Sequence, residues 1–427
     1  MPGRGADESM TSLLAPLRPR RSAVVALLDQ AVSSLANFLL LFFAARSLDV
    51  AGFGIFSLVY VSYVVLLGAA QSFVGQELVL LDKSRQSLLI AEKSSIRFTL
   101  RASGILGALL LILSIAFHAD WAFFVLAVGL PLLLTNETLR YTASVSRTPQ
   151  LALLGDSLWL VVLIAGVAAH EAGVFVLSTS LQVSILWLVA VTASVVPMWL
   201  VSSPKYRGIR ALPSRYLRRK FLGFRFVTEY LMVRATGQAS ILVLGFIATV
   251  AASGALRGIS TLFGPVNVLF NAMAAFGVPI VRDLGKHRRT ASLLALSSAF
   301  ALLSIALTVF LLLIPDAWGR QILGDTWANI GDLILATGIQ FAAMSFGVMG
   351  YTAIRFEWPT STLYLRTIAS VLLIALFFGG YAVAGVQGVV WGQAIASTLQ
   401  AVISWSFFAY KSRTSPPRPK TTSTPPS

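Results

Sequence analysis

Cysteine is missing from all 427 residues, which excludes disulfides, thiolate metal sites and cysteine nucleophiles and says nothing of the redox compartment. Histidine occurs three times, at His118, His170 and His287. Each of these falls between apolar stretches, so no imidazole proton relay crosses one. Charge is scarce as well, at 12% of residues where soluble chains carry roughly 25%. There is no Gly-x4-Gly-Lys-Ser/Thr loop, no paired-carboxylate motif and no metal-ligand spacing. No catalytic residue, metal or cofactor is therefore expected, and a nucleotide-driven pump in this chain is excluded. What the sequence has in abundance is apolar surface: 56% of residues are hydrophobic and the mean hydropathy is +0.80.

That composition reads as a polytopic membrane protein. A membrane helix needs about 20 mostly apolar residues, and twelve stretches qualify. Six run at 23–45, 53–76, 98–117, 121–139, 150–169 and 173–201, and six more at 226–249, 254–281, 291–314, 329–349, 363–383 and 385–409. The expected fold is all-α, with about twelve transmembrane helices and no extramembrane domain. Basic residues Arg18, Arg20 and Arg21 precede the first span, but it is longer than a signal-peptide core and holds Asp29 and Gln30. It reads as an uncleaved first helix.

The basic residues orient the chain. When alternate loops are assigned to opposite sides, 29 of the 33 lysines and arginines fall on one side. Arg46, Arg257 and Arg320 fall on the other, and Arg234 lies inside a span. By the positive-inside rule both termini are cytoplasmic, and the expected location is the plasma membrane. The net charge of +16 is thus dispersed over cytoplasmic loops. Nucleic acid is not an expected partner, whereas anionic membrane lipids are, above all for Lys205–Lys220.

An internal repeat divides the spans. At a shift of 200 residues Asp29 falls on Glu229, Val50-Ala51 on Val250-Ala251 and Gly54 on Gly254. Six spans return the chain to the same side, so the repeat is parallel. Two six-helix bundles around a central cavity are expected, the pattern of transporters that rock between two states. The expected divisions are a basic tail at 1–22, a first half at 23–201, a basic linker at 202–225, a second half at 226–410 and a disordered tail at 411–427.

Ionisable residues within the apolar spans call for a reason, since each costs about 2.5–3.5 kcal/mol at the membrane centre on the mildest scale. Four stand out: Asp29, Asp156, Glu229 and Arg234. Helical spacing groups others with them. Asp29, Ser33 and Asn37 recur every fourth residue, as do Tyr230, Arg234 and Gln238. Arg257, Ser260, Gly264, Asn267 and Asn271 form a third stripe, and Gly68, Gln71 and Gly75 a fourth. Such stripes face neighbouring helices or a wet cavity. Asp29 and Glu229 have two readings, an ion-coupling site or pairing with basic residues nearby. Arg234 either lines a transport path or pairs with one of these acids.

The stretch DQAVSSLANFLLLFFAARSLDVAGFG, Asp29–Gly54, resembles the opening of bacterial polysaccharide and O-antigen flippases, with the pairs Ala45-Arg46 and Phe53-Gly54. The stretch 252–281, with Gly254, Gly264-Pro265 and Pro279, and the Gly385-x-x-Gly388 start of the last span are similar to the same group. That group belongs to the superfamily of multidrug/oligosaccharidyl-lipid/polysaccharide exporters. The resemblance implies a transporter, not an enzyme. Its cargo would be a polyprenyl-pyrophosphate-linked oligosaccharide, flipped by alternating access for cell-surface glycan assembly, beside glycan polymerases and glycosyltransferases as partners. Arg234, with Arg46 and Arg257, would meet phosphate oxygens, and the amides of Asn37, Gln71, Gln238, Asn267 and Asn271 would meet sugar hydroxyls. Two alternatives stay open. A cation-coupled multidrug exporter of the same superfamily would use Asp29, Glu229 or Asp156 for coupling, and a non-transporting member would scaffold glycan-synthesis enzymes.

Overall fold

The computed structural model describes residues 19–79, 85–217, 223–233, 235–266 and 286–414. All regular structure among them is helical. Helix α1 is Pro19–Ser47, α2 Val50–Ala70, α3 Arg85–Ala116, α4 Trp121–Val145, α5 Pro149–Glu171 and α6 Ser180–Ser202. Then come α7, Gly223–Val233, α8, Ala235–Ile247, α9, Val250–Leu262, and α10, Lys286–Leu313. A short amphipathic helix, α11 (Asp316–Leu323), precedes α12, Ile334–Glu357, and the long α13, Pro359–Thr414. Nine helices among the described residues are long and apolar enough to cross a membrane. The last of these holds two lengths, because Ala384 and Gly385 leave helical geometry, with Gly385 at φ +56°. A glycine tolerates that positive φ without a Cβ penalty, and the break falls between the two spans expected at 363–383 and 385–409.

Helix ends follow local chemistry. Asp49 accepts from Gly52 N at the start of α2, and Asp120 accepts from Ala122 N at the start of α4. Thr179 and Gln182 form a reciprocal capping box at α6. That box begins α6 seven residues later than its expected start at 173. Within the helices, serine and threonine hydroxyls bond back to the carbonyl one turn earlier, as Ser57 does to Phe53 at 2.7 Å and Thr192 to Leu188 at 2.7 Å. This satisfies them without water. The apolar surface is turned outward: Ile105, Phe117, Val128 and Val383 are largely exposed, as lipid-facing positions are.

The helices sort into two compact units. One comprises the chain through Gly264 together with Leu313–Ile334, the other Pro265–Leu312 and Leu335 onward. In the first unit, α7–α9 therefore pack with the first six helices, and so does α11 with the turn that follows it. Phe53, Phe56, Tyr60, Tyr63 and Trp187 form its aromatic centre, with Trp187 4.9 Å from the Tyr63 ring. In the second unit, Leu293, Met349, Ile354, Leu365 and Phe408 make a core, and the Ser304 and Ser345 hydroxyls lie 3.2 Å apart.

Two expected loops are ordered differently. The stretch 77–101 was expected to be a basic loop, yet α3 begins at Arg85 and is buried at Ala91, Ser94, Ser95 and Ile96, with Glu92 fully enclosed. The linker expected at 202–225 begins as a docked strap. Glu92 accepts from Ser146 Oγ at 2.5 Å and from Tyr206 OH at 3.1 Å, and pairs with Lys205 at 3.0 Å. Lys93 donates to the carbonyls of Tyr206 and Ile209. A hydropathy reading sees only cations here; the one buried carboxylate converts them into a folded surface.

Candidate functional site

The candidate cluster is built by α1, α4 and α5, with α2 at its edge. Its centre is Arg140, which the hydropathy limit of 139 had placed in a loop. Helix α4 continues to Val145 and carries Arg140 inside, with its side chain 15% exposed. The guanidinium Nη2 lies 3.0 Å from Asp29 Oδ2 on α1 and 3.1 Å from Asp156 Oδ2 on α5. Nη1 lies 3.1 Å from Glu137 Oε2, one turn earlier on α4. Arg140 was missed because the expected span ends one residue before it, and Glu137, three residues from that same end, was passed over with it. The signal available was their spacing of three, which sets an arginine and a glutamate on one helix face.

Around this guanidinium the carboxylates are incompletely satisfied. Asp156 is fully buried, and neither of its oxygens meets the full geometry of a hydrogen bond. The Arg140 guanidinium and the Ser33 hydroxyl lie beside it. Asp29 Oδ1 and Arg140 Nε also lack partners among the described residues. Three carboxylates facing one guanidinium leave two negative charges uncompensated when all are ionised. Buried charge of that kind is expensive unless it is paired or neutralised. No three acidic or imidazole groups among the described residues are grouped so as to hold a metal ion, and Arg140 stands where the carboxylates meet.

Gln71 closes the cluster on the α2 side. Its Nε2 donates to Glu137 Oε1 at 3.0 Å. It stands at the head of a π-turn, Gln71–Gly75, that continues α2 as one span, Val50–Gly75, and leads into the short helix Gln76–Val79. Asp29 and Asp156, expected as ion-coupling residues, are therefore brought together through Arg140, and Gln71, expected against cargo, joins the same group.

The other expected residues lie elsewhere. Asn37 donates to Ser33 O at 2.8 Å and accepts from Tyr60 OH at 2.8 Å. Arg257 on α9 stacks on the Tyr60 ring at 4.5 Å, its Nε buried without a partner among the described residues. An outer-rim cation was expected at that position; the structure instead has a guanidinium held on an aromatic face, a favourable use of a partly desolvated cation. Arg46 pairs with Glu171 at 3.6 Å on the surface, both about half exposed. Gln238 is half-buried, with Oε1 lacking a partner among the described residues. Arg234, Asn267 and Asn271 lie outside the described residues, as does the Glu229 side chain.

No family model matches this chain, and no curated protein sequence matches it. Solved structures do. An inward-facing multidrug resistance MATE family transporter of the MOP superfamily aligns with TM-score 0.63 at 12% identity, covering 92% of this chain and 100% of that one. An outward-facing multidrug resistance MATE family transporter of the MOP superfamily aligns with TM-score 0.56 at 13% identity, covering 94% and 97%. A MOP superfamily transporter from Pyrococcus furiosus Vc1 (DSM3638), whose reversed pocket polarity suggests a different function for it, aligns with TM-score 0.54 at 13% identity over 94% and 97%. All three are transporters. The chain has their fold, that of an all-helical, multi-pass membrane protein.

Proposed function

We propose that this protein is an exporter working by alternating access and driven by proton entry at the Asp29–Glu137–Asp156 cluster. The observation that carries this reading is the excess of buried carboxylate around Arg140. Deprotonated, the cluster holds more negative charge than one guanidinium balances; protonated, it does not. A buried group with two charge states of such different cost is suited to bias a two-state protein. Glu229, 200 residues on from Asp29, is the corresponding acid of the second repeat.

The cargo proposed first is an apolar or cationic drug-like molecule, as the names of the multidrug resistance neighbours suggest. The second reading is a polyprenyl-pyrophosphate-linked oligosaccharide, and one observation favours it. Arg257 has no carboxylate partner among the described residues, and a planar guanidinium suits phosphate oxygens. Arg234, Asn267 and Asn271 remain proposed cargo contacts for that reading.

The test replaces Asp156 with Asn in full-length protein reconstituted in liposomes, with ethidium efflux followed under an imposed pH gradient. Loss of gradient-driven efflux with normal folding supports the proton-driven reading; unchanged efflux sinks it. If ethidium is not moved by the unaltered protein, surface glycan display in cells carrying Arg257→Gln decides between the two cargoes.

A further inference from the structure

We infer that Gln71 is the positioning residue through which the charge state of the Arg140 cluster sets the shape of α2. This rests on the reading of that cluster as the proton-coupling site. Four observations converge on one helix. First, the α2 backbone widens at Gln71–Gly75 into a π-turn, in which Gln76 N–H bonds to Gln71 O. A π-turn is rare and is found mostly as a single bulge at functional positions. Second, the residue that opens it is the one whose side chain leaves α2 for the cluster, donating to Glu137 Oε1 at 3.0 Å. The other oxygen of that carboxylate is held by Arg140 at 3.1 Å. Glu137 is thus strung between the guanidinium and the bulge.

Third, the turn before the bulge is gripped by α7. The Tyr230 ring sits where a side chain at Gly68 would be, and its hydroxyl donates to the carbonyls of Val64 and Val65 at 3.3 and 3.2 Å. Fourth, the far end of α2 meets α9 by backbone contact at Gly54. One helix therefore carries, in order, a contact with α9, a clasp from α7, a bulge, and a hydrogen bond to the cluster. A π-turn is one residue wider than an α-turn, so moving or closing it turns the helix before it against the helix after it.

The link depends on charge. An amide N–H to an ionised carboxylate is a charge-assisted bond, about twice as strong as a neutral one. When a proton enters at Asp156, the buried acid neither of whose oxygens is satisfied, Arg140 has one anion fewer to serve and holds Glu137 more firmly; the Gln71 bond to Glu137 weakens and the bulge is free to shift. Gln71 never touches the proton itself. It passes the state of Glu137 to α2.

The chain has no cysteine, so labels go only where they are placed. Ala51→Cys on α2 and Phe117→Cys beyond α3 are exposed sites in the same unit. Spin-label distances between them are measured on purified full-length protein across acidic to alkaline pH, with the infrared carboxylic-acid band recorded in parallel. The expected result is a pH-dependent distance change that Gln71→Leu abolishes while the infrared acid band still titrates. A distance change that survives in Gln71→Leu overturns the inference. Should Gln71→Leu fail to fold, Glu137→Gln replaces it. It keeps an acceptor for Gln71 without the charge and is expected to hold the acid-state distance at every pH; a distance still responding to pH overturns the inference. The coupling reading fails separately, and takes the inference with it, if neither Asp29→Asn nor Asp156→Asn alters the titration or the distance change.

Discussion

Gly54 of α2 and Gly254 of α9, 200 residues apart in the chain, lie backbone to backbone. A Cβ on Gly254 would stand 3.1 Å from both the Cα and the N of Gly54, and a Cβ on Gly54 would collide with the carbonyl of Val250. Equivalent positions of the repeat are thus in direct contact, with Val50 and Val250 beside them on opposite helices. Only residues without side chains let two helices approach this closely.

The two glycines are not equally replaceable. Both would meet backbone, but Gly254→Ala needs it to yield by only a few tenths of an ångström, whereas Gly54→Ala drives a Cβ well inside contact distance of the Val250 carbonyl. Overpacking of that kind costs about 1–3 kcal/mol. Gly54→Ala is therefore expected to lower the melting temperature in detergent more than Gly254→Ala does, and equal melting of the two would contradict the contact.

Arg140→Met is expected to be severe, because it leaves buried carboxylates facing one another. Breaking a buried pair by removing one partner costs about 3–5 kcal/mol. Adding Asp156→Asn to Arg140→Met removes one of the stranded charges, so the double variant should be more stable than the single one. Denaturation of both in the same detergent reads the difference. A double variant no better than Arg140→Met would show that Asp156 does not sense the guanidinium.

Glu92→Gln tests the docked strap. Hydrogen bonds to a charged group contribute about 1.5–3 kcal/mol each, and Glu92 gathers Ser146, Tyr206 and Lys205. With that anchor weakened, limited trypsin digestion should cut faster at Arg207 and Arg210, which are exposed beside the anchor. Cleavage at the original rate would mean the strap is held chiefly by Lys93 and by the Phe98–Tyr216 stack at 4.8 Å.

Tyr60→Phe separates two roles of one ring. It removes the bond to Asn37 at 2.8 Å and keeps the face under Arg257. A single neutral hydrogen bond is worth about 0.5–1.5 kcal/mol, so the loss of stability should be small. Tyr60→Leu removes the aromatic face as well and should cost more. If both variants melt alike, the stacking on Arg257 contributes nothing measurable.

Much of this molecule is determined by the sequence alone. Apolar lengths of about 20 residues admit helices and little else in a membrane, so the all-helical fold and the run of spans follow from hydropathy. The shift of 200 places Gly54 on Gly254, and Asp29 and Asp156 stand out because an acid is rare within an apolar run. Tertiary structure decided what those acids meet. Arg140 looks like a loop residue to any local average, since the acids that neutralise it from outside α4 lie on other helices, Asp29 on α1 and Asp156 on α5. The same holds for Glu92, whose cationic partner arrives 113 residues later. Hydropathy scores each charge as if it stood alone. Whether a charge is tolerated inside the protein depends on which helices bring its partners to it, and only packing settles that.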